Sequence, residues 1–104
     1  MPVARPGEVW QTDLGMAAKV RPCLVLTPPP KDDELAVASL VAHTTALRGN
    51  RWEAQISKPF LAQGAFDVQR IVTVATVKLE RKLGELTPAE FDTVLNRLAE
   101  RLGI

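Results

Sequence analysis

At 104 residues, with 46% hydrophobic and 24% charged side chains, the chain is long enough for one modest core and too evenly composed for disorder or low complexity. No apolar run approaches the ~20 residues of a membrane helix, the opening Met1-Pro2-Val3-Ala4-Arg5-Pro6 lacks a signal-peptide core, and the one cysteine forms no internal disulfide; a single domain (1–104) in the cytoplasm, away from membranes, is expected. The net charge of +1 hides a split, with four basic and five acidic groups in residues 1–42, seven and three in 43–82, and two and four in 83–104, so the middle section suits an anionic partner, or is simply an unevenly charged solvated surface.

Arg5-Pro6-Gly7 is a turn signal. Residues 8–14 read as a strand with Trp10, Thr12 and Leu14 on one face. Residues 20–27 read as a second strand, apolar on both faces at its centre, which Pro28-Pro29-Pro30 stops because no ladder donor is left. Lys31-Asp32-Asp33-Glu34 is a solvated loop. Residues 35–44 are small and β-branched, a third strand. After a turn at 48–51, Trp52-Glu53-Ala54-Gln55-Ile56 alternates as a half-buried strand. Residues 68–74 form another strand, and 79–86 a last short strand or a helix, since periodicity alone does not decide.

The C-terminus is clearer. Thr87 is an N-cap, Pro88 sits at N1 and Glu90 at N3, completing a capping box. Phe91, Val94, Leu95, Leu98 and Leu102 follow at helical spacing, and Gly103 stops the helix. The order implies a mainly β fold with a C-terminal α-helix: a small, strongly twisted antiparallel sheet or half-open barrel.

Absent motifs narrow the chemistry. Neither His43 nor Cys23, the only residues of their types, lies in a metal-ligand cluster. The sequence contains no phosphate-binding glycine loop, nucleophile elbow or dinucleotide fingerprint. Cys23, inside an apolar run, reads as a buried inert thiol. An enzyme built on this chain would work without metal, cofactor or His-based triad, on a substrate that brings its own nucleophile.

The segments R-P-G-E-V-W-Q-T-D-L-G (5–15), R-P-C-L-V-L-T (21–27), V-A-H-T-T (41–45) and R-I-V-T-V-A-T-V-K-L-E-R-K-L-G-E-L-T-P-A-E-F (70–91) together resemble the MazF/PemK toxins of toxin–antitoxin systems, in order and over nearly the whole chain. The resemblance implies an SH3-like barrel, a homodimer, a cognate antitoxin protein as partner, and a metal- and cofactor-independent endoribonuclease acting on single-stranded RNA. It places the family's catalytic arginine at Arg21, before the proline of the second strand. The partner threonine falls on Thr44, with Thr45 beside it.

The chemistry fits those residue types. RNA carries a 2′-OH next to every scissile phosphate. A guanidinium offers a planar fork to two phosphate oxygens, and a hydroxyl both donates and accepts. No residue presents itself as the base, because Arg holds its proton. Read without the resemblance, Arg21 is a strand-end arginine with a snorkelled stem, and Thr44 an ordinary strand-end threonine. His43 is expected to be structural, since strand neighbours point to opposite faces.

Lys19, Arg48, Arg51 and Arg70 are candidates for phosphate contacts or for a solvated face. Trp10 is expected in the core, while Trp52 suits either packing or base stacking. The resemblance carries an RNA-contacting glutamine onto Gln69, across a local pattern shifted by about one residue.

Two departures stand out. The connection at 15–19 is shorter and more apolar than the family's charged loop. The ending Leu102-Gly103-Ile104 echoes the Trp-Gly-Ile of the gyrase-poisoning CcdB toxins, whose strand start lacks Arg-Pro, and reads as coincidence. The alternatives are a CcdB-like poison of a protein target such as gyrase, or a catalytically silent SH3-like binding module.

Overall fold

The computed structural model of the protein describes residues 3–15 and 19–104; Met16-Ala17-Ala18, the middle of the short connection, lies outside them. Strands β1 (Glu8–Asp13), β2 (Val20–Val25), β3 (Val37–Thr44), β4 (Glu53–Ala54) and β5 (Ala65–Ala75) lead through a 3₁₀ turn (Thr76–Lys78) to β6 (Leu79–Glu85) and helix α1 (Pro88–Leu102). The strands form one sheet in the order β4-β5-β3-β2-β1-β6, antiparallel throughout. β4 and β6 are its two ends, so the sheet does not close, in keeping with a half-open barrel.

Alternation along the strands splits the apolar residues between two faces. Val9, Leu24, Val41, Phe66 and Val68 lie in one cluster with Val94 of α1. Trp10, Cys23, Val25, Leu40 and Ala42 lie in the other with Leu79 of β6. Full burial of each Val, Leu or Phe among them contributes roughly 1.5–3 kcal/mol. Trp10 is therefore core, as expected, and its indole Nε1 donates to Glu8 Oε1 at 3.0 Å.

Several boundaries differ from the sequence reading, for local reasons. β2 ends at Val25, two residues short of the expected stop. Thr27 then supplies a side-chain acceptor, its Oγ1 taking a hydrogen bond from Ser39 N at 3.1 Å. The expected strand at 52–56 shrinks to two residues, because the Glu53 carboxylate folds the preceding turn onto itself, accepting from the backbone N–H of Arg48, Gly49 and Asn50. β5 begins at Ala65 and contains an irregularity. Val41 pairs with Ile71 but His43 with Phe66, so a two-residue step on β3 faces a five-residue step on β5. Asp67 Oδ1, accepting from Gln69 N at 2.9 Å, anchors that bulge. Residues 79–85 resolve as strand rather than helix.

The helix matches its signals. Thr87 Oγ1 accepts from Glu90 N, and Glu90 Oε1 accepts from Thr87 N. Gly103 terminates the helix at φ +75°. The apolar stripe stops short of Leu102, which is 55% exposed at the last helical position.

The basic middle section turns out to be matched from elsewhere in the chain. Arg51 pairs with Glu100, Lys58 with Glu90, Lys78 with Asp13, and Lys82 with Glu8 and Glu85. Acidic groups from the flanking segments thus offset the split seen in the sequence.

Candidate active site

Pro22 shapes the site by what it lacks. β1 pairs with β2 down to Asp13↔Val20, whereas β2 pairs with β3 only at Cys23↔Ala42, Leu24↔Val41 and Val25↔Leu40. Pro22 has no N–H to give the ladder, and there the two strands part. The gap is a hollow of about 330 Å³. Lys19, Val20, Arg21 and Pro22 form one wall, while His43, Thr44, Thr45 and Ala46 form the other, with Ala62 at the rim.

Facing follows from register. Arg21 lies opposite Thr12, and Cys23, two residues on, lies opposite Ala42. Extending that antiparallel register by two residues sets Arg21 across from Thr44. Thr44 is 3% exposed. Its Oγ1 accepts from Ala46 N at 3.1 Å, which leaves the O–H to donate. Lys19 closes the β1–β2 hairpin at φ +59°, a left-handed conformation that costs a non-glycine residue on the order of 1 kcal/mol. Its carbonyl accepts from Leu14 N at 2.9 Å, which ties it in place. Two cations and two hydroxyl side chains line the hollow, and among the described residues none that lines it is acidic. Such a surface favours an anion.

Two titratable neighbours are closed off. Burial pushes the Cys23 thiol up to about 11, against lesser opposing effects from the Thr12 hydroxyl and the Arg21 charge, so the thiol stays protonated and inert at neutral pH. The His43 ring meets Phe66 edge-on at 5.1 Å between centroids, within the cluster under α1. Its Nε2 is buried without a hydrogen-bond partner, and burial lowers its pKa. His43 therefore contributes to the wall of the hollow while its Nε2 is sealed in the core.

The hollow thus brings together Lys19, Arg21, Thr44 and Thr45 of the residues singled out in the sequence. It excludes Arg48, Arg51, Trp52, Gln69 and Arg70. Arg51 lies 4.2 Å and Arg101 5.4 Å from the centroid of the Trp52 ring, which also packs on the core. Gln69, carried outward by the β5 bulge, accepts from Asn50 Nδ2 at 3.4 Å. Arg70 Nε is held 3.4 Å from Asp67 Oδ2. The sequence reading missed Ala46, Ala62 and Gly64. A Cβ on Gly64 would collide with the Thr44 carbonyl oxygen, so only glycine lets the β4–β5 loop close on this wall. No local signal in the sequence announces that contact. Among the described residues no group of three or more His, Cys, Asp or Glu is placed to hold a metal ion.

The structure is thus a half-open six-stranded antiparallel sheet with one capped helix and a cationic gap beside its second strand. Residues 5–102 match the family model described as PemK-like, MazF-like toxin of type II toxin–antitoxin system, and the chain belongs to that family. It is similar to an endoribonuclease solved in complex with its cognate antitoxin from a mycobacterial species, at 25% identity and a TM-score of 0.79, covering 100% of this chain and 97% of that one. MazF from Deinococcus radiodurans shares the fold at 19% identity and a TM-score of 0.82 over the full length of both chains. The Mycobacterium tuberculosis toxin MazF-mt6 does so at 20% identity and a TM-score of 0.77, covering 93% of this chain and 97% of the other. No curated protein matches the chain. No helix among the described residues is long and apolar enough to cross a membrane.

Proposed function

We propose that the protein is an endoribonuclease toxin of the cytoplasm that cleaves single-stranded RNA, acts as a homodimer and is restrained by a cognate antitoxin. The supporting observation is the hollow between β2 and β3, where Arg21 and Thr44 share a face with no acidic residue in the described lining. The scissile phosphate binds Arg21, whose planar fork matches two phosphate oxygens. The 2′ oxygen attacks phosphorus and gives up its proton to water. The bond from phosphorus to the 5′ oxygen breaks, and that oxygen takes up a proton from water. The products are a 2′,3′-cyclic phosphate and a 5′-OH. Arg21 stabilises the charge that builds on the pentavalent phosphorus, and the Thr44 O–H orients the 2′-OH or a phosphate oxygen; Lys19 adds positive potential at the entrance.

The test is incubation of the purified protein with a mixed RNA pool in EDTA. Cleavage is expected to proceed and to fall by roughly 10²–10³-fold in Arg21→Ala, as for loss of a single preorganised donor. Intact RNA with the wild type, or equal cutting by the variant, overturns the assignment. Growth arrest with trapped topoisomerase–DNA complexes and intact RNA selects a protein-poisoning toxin instead.

A further inference from the structure

Thr44 stands where β3 loses half of its support. It pairs with Ala65 of β5, but on the other side the β2–β3 ladder runs no further than Ala42. The parting that opens the gap therefore leaves the end of β3 held by one neighbour. A second restraint comes from the segment 55–64, which joins β4 to β5 without strand or helix. Its path is fixed from below. Lys58 Nζ lies 2.7 Å from Glu90 Oε1, the same oxygen that caps α1 by accepting from Thr87 N. Leu61 N donates to the Lys58 carbonyl at 3.1 Å. Within the turn so closed, the Phe60 ring fills the space that a side chain at Gly84 of β6 would need. Anchored in this way, the segment sets Gly64 on the end of β3. A Cβ at Gly64 would lie 2.9 Å from His43 Cε1 and collide with the Thr44 carbonyl oxygen. The Gly64 backbone is outside the left-handed region, so space rather than conformation demands glycine there.

We propose that Gly64 is a positioning residue for cleavage: pressed on the Thr44 carbonyl by the anchored segment, it fixes the rotamer in which the Thr44 hydroxyl meets the RNA. The proposal rests on the reading of the gap between β2 and β3 as an RNA-cleaving site. The pressed carbonyl belongs to the peptide that joins Thr44 to Thr45. One peptide further on, the Ala46 N–H donates to Thr44 Oγ1 at 3.1 Å. Turning the first peptide carries that donor away from Oγ1, and the hydroxyl is then free to leave its staggered well. Yielding on the other side is blocked, because His43 packs edge-on against Phe66 in the core and close-packed interiors transmit such strain. Placement at this scale matters to chemistry: a displacement of about 1 Å costs a reaction on the order of 10²-fold. Lys58 and Phe60 act one step further back, through Gly64.

The test is a double-mutant cycle. Single-turnover cleavage of one RNA oligonucleotide is measured for wild type, Gly64→Ala, Thr44→Ala and the double variant, with binding of the uncleavable 2′-deoxy oligonucleotide in parallel. Gly64→Ala should slow cleavage by about 10²-fold and leave binding within about twofold. In the Thr44→Ala background the same change should have almost no further effect, since residues that act as a unit are not additive; a merely structural role would slow both backgrounds alike. Lys58→Met leaves the end of β3 untouched and should slow cleavage by about two- to fivefold, the scale of one ion pair, again only while Thr44 is present. If Gly64→Ala does not fold, the Lys58→Met cycle carries the test. Cleavage by Gly64→Ala at the wild-type rate, or losses that multiply in the double variant, overturn the proposal. Three-bond couplings to the Thr44 methyl carbon read its rotamer without any chemistry. If the wild type cuts no RNA, or Thr44→Ala cuts as the wild type does, the reading of the gap fails, and the couplings still decide the positioning: one rotamer that becomes averaged in Gly64→Ala supports it, and unchanged couplings reject it.

Discussion

The gap between β2 and β3 and the corner where β4 meets α1 both carry cations, but in different surroundings. In the gap, Lys19 and Arg21 line a hollow with no acidic residue in its described walls. At the corner the arginines are bound into the fold. Arg51 reaches Glu100 and the Trp52 ring, Arg101 lies over the same ring, and Arg97 Nη1 donates to the carbonyls of Arg51 and Glu53 at 2.8 and 2.9 Å. The corner joins Arg51 of the basic middle section to Arg97 and Arg101 of the C-terminal segment. The gap draws its cations from the N-terminal segment, where acidic groups outnumber basic ones. Local basic density is therefore a poor guide to where cations come to line a hollow; the residues around each cation matter more.

The sharpest way to break this contrast is to exchange arginine for lysine in each place. Arg21→Lys keeps the charge and loses the fork. At about 1.5–3 kcal/mol for a hydrogen bond to a charged group, the cleavage rate should fall roughly 10- to 150-fold. Arg51→Lys should leave the rate on RNA within about twofold, since exposed ion pairs contribute ~0–1 kcal/mol and only to stability. Single-turnover kinetics on one oligonucleotide compares them directly. Equal losses would mean that the corner also touches RNA.

Arg97 gives the next largest effect, on the other axis. Arg97→Ala removes two charge-assisted hydrogen bonds to backbone carbonyls and should lower stability by about 1–3 kcal/mol, with cleavage by the folded protein unaltered. Urea midpoints measure the first and initial rates the second. A rate loss at unchanged stability would place this arginine in RNA binding and erase the distinction.

What was legible in the sequence is what is local. The helix was readable at both ends because Thr87, Pro88, Glu90 and Gly103 act on neighbouring backbone groups. β1, with its alternation, and β3, with its small and β-branched residues, were readable too. Arg21 and Thr44 came from an ordered resemblance, and their shared face follows from register once the strands are paired. The shortened β4 was hidden because one carboxylate, Glu53, captures three N–H groups of a turn, something no hydrophobic pattern encodes. The β5 bulge, which sets Gln69 outward, depends on pairing with a strand far away in sequence. The part of Pro22 was half visible: its missing donor could be read, but not that the loss would open β2 from β3. The contact of Gly64 on Thr44 is long-range and left no mark at all.

The same two places differ in how they respond to acid. Beside the gap, His43 is buried with its Nε2 unpartnered, and burial lowers its pKa from 6.5. At the corner, Glu53 has its pKa held below 4.5, first by the Arg48 N–H and then by those of Gly49 and Asn50. Below 6.5 the unfolded chain takes up a proton at His43 that the folded protein refuses. Stability tied to His43 is thus complete above that pH and is lost as pH falls toward the lowered folded value. Stability tied to Glu53 is present above 4.5 and is lost only as pH falls through its own depressed value, a limb it shares with Glu90, which is held down by Lys58. Acid weakening should accordingly come in two stages, the wall of the gap first. His43→Leu should flatten the urea midpoint between about pH 7 and 5 and leave the lower limb in place, whereas Glu53→Gln should reduce the lower limb and leave the upper one. If the His43→Leu curve runs parallel to wild type through the upper window, His43 does not set the first stage, and the gap is no more acid-sensitive than the corner.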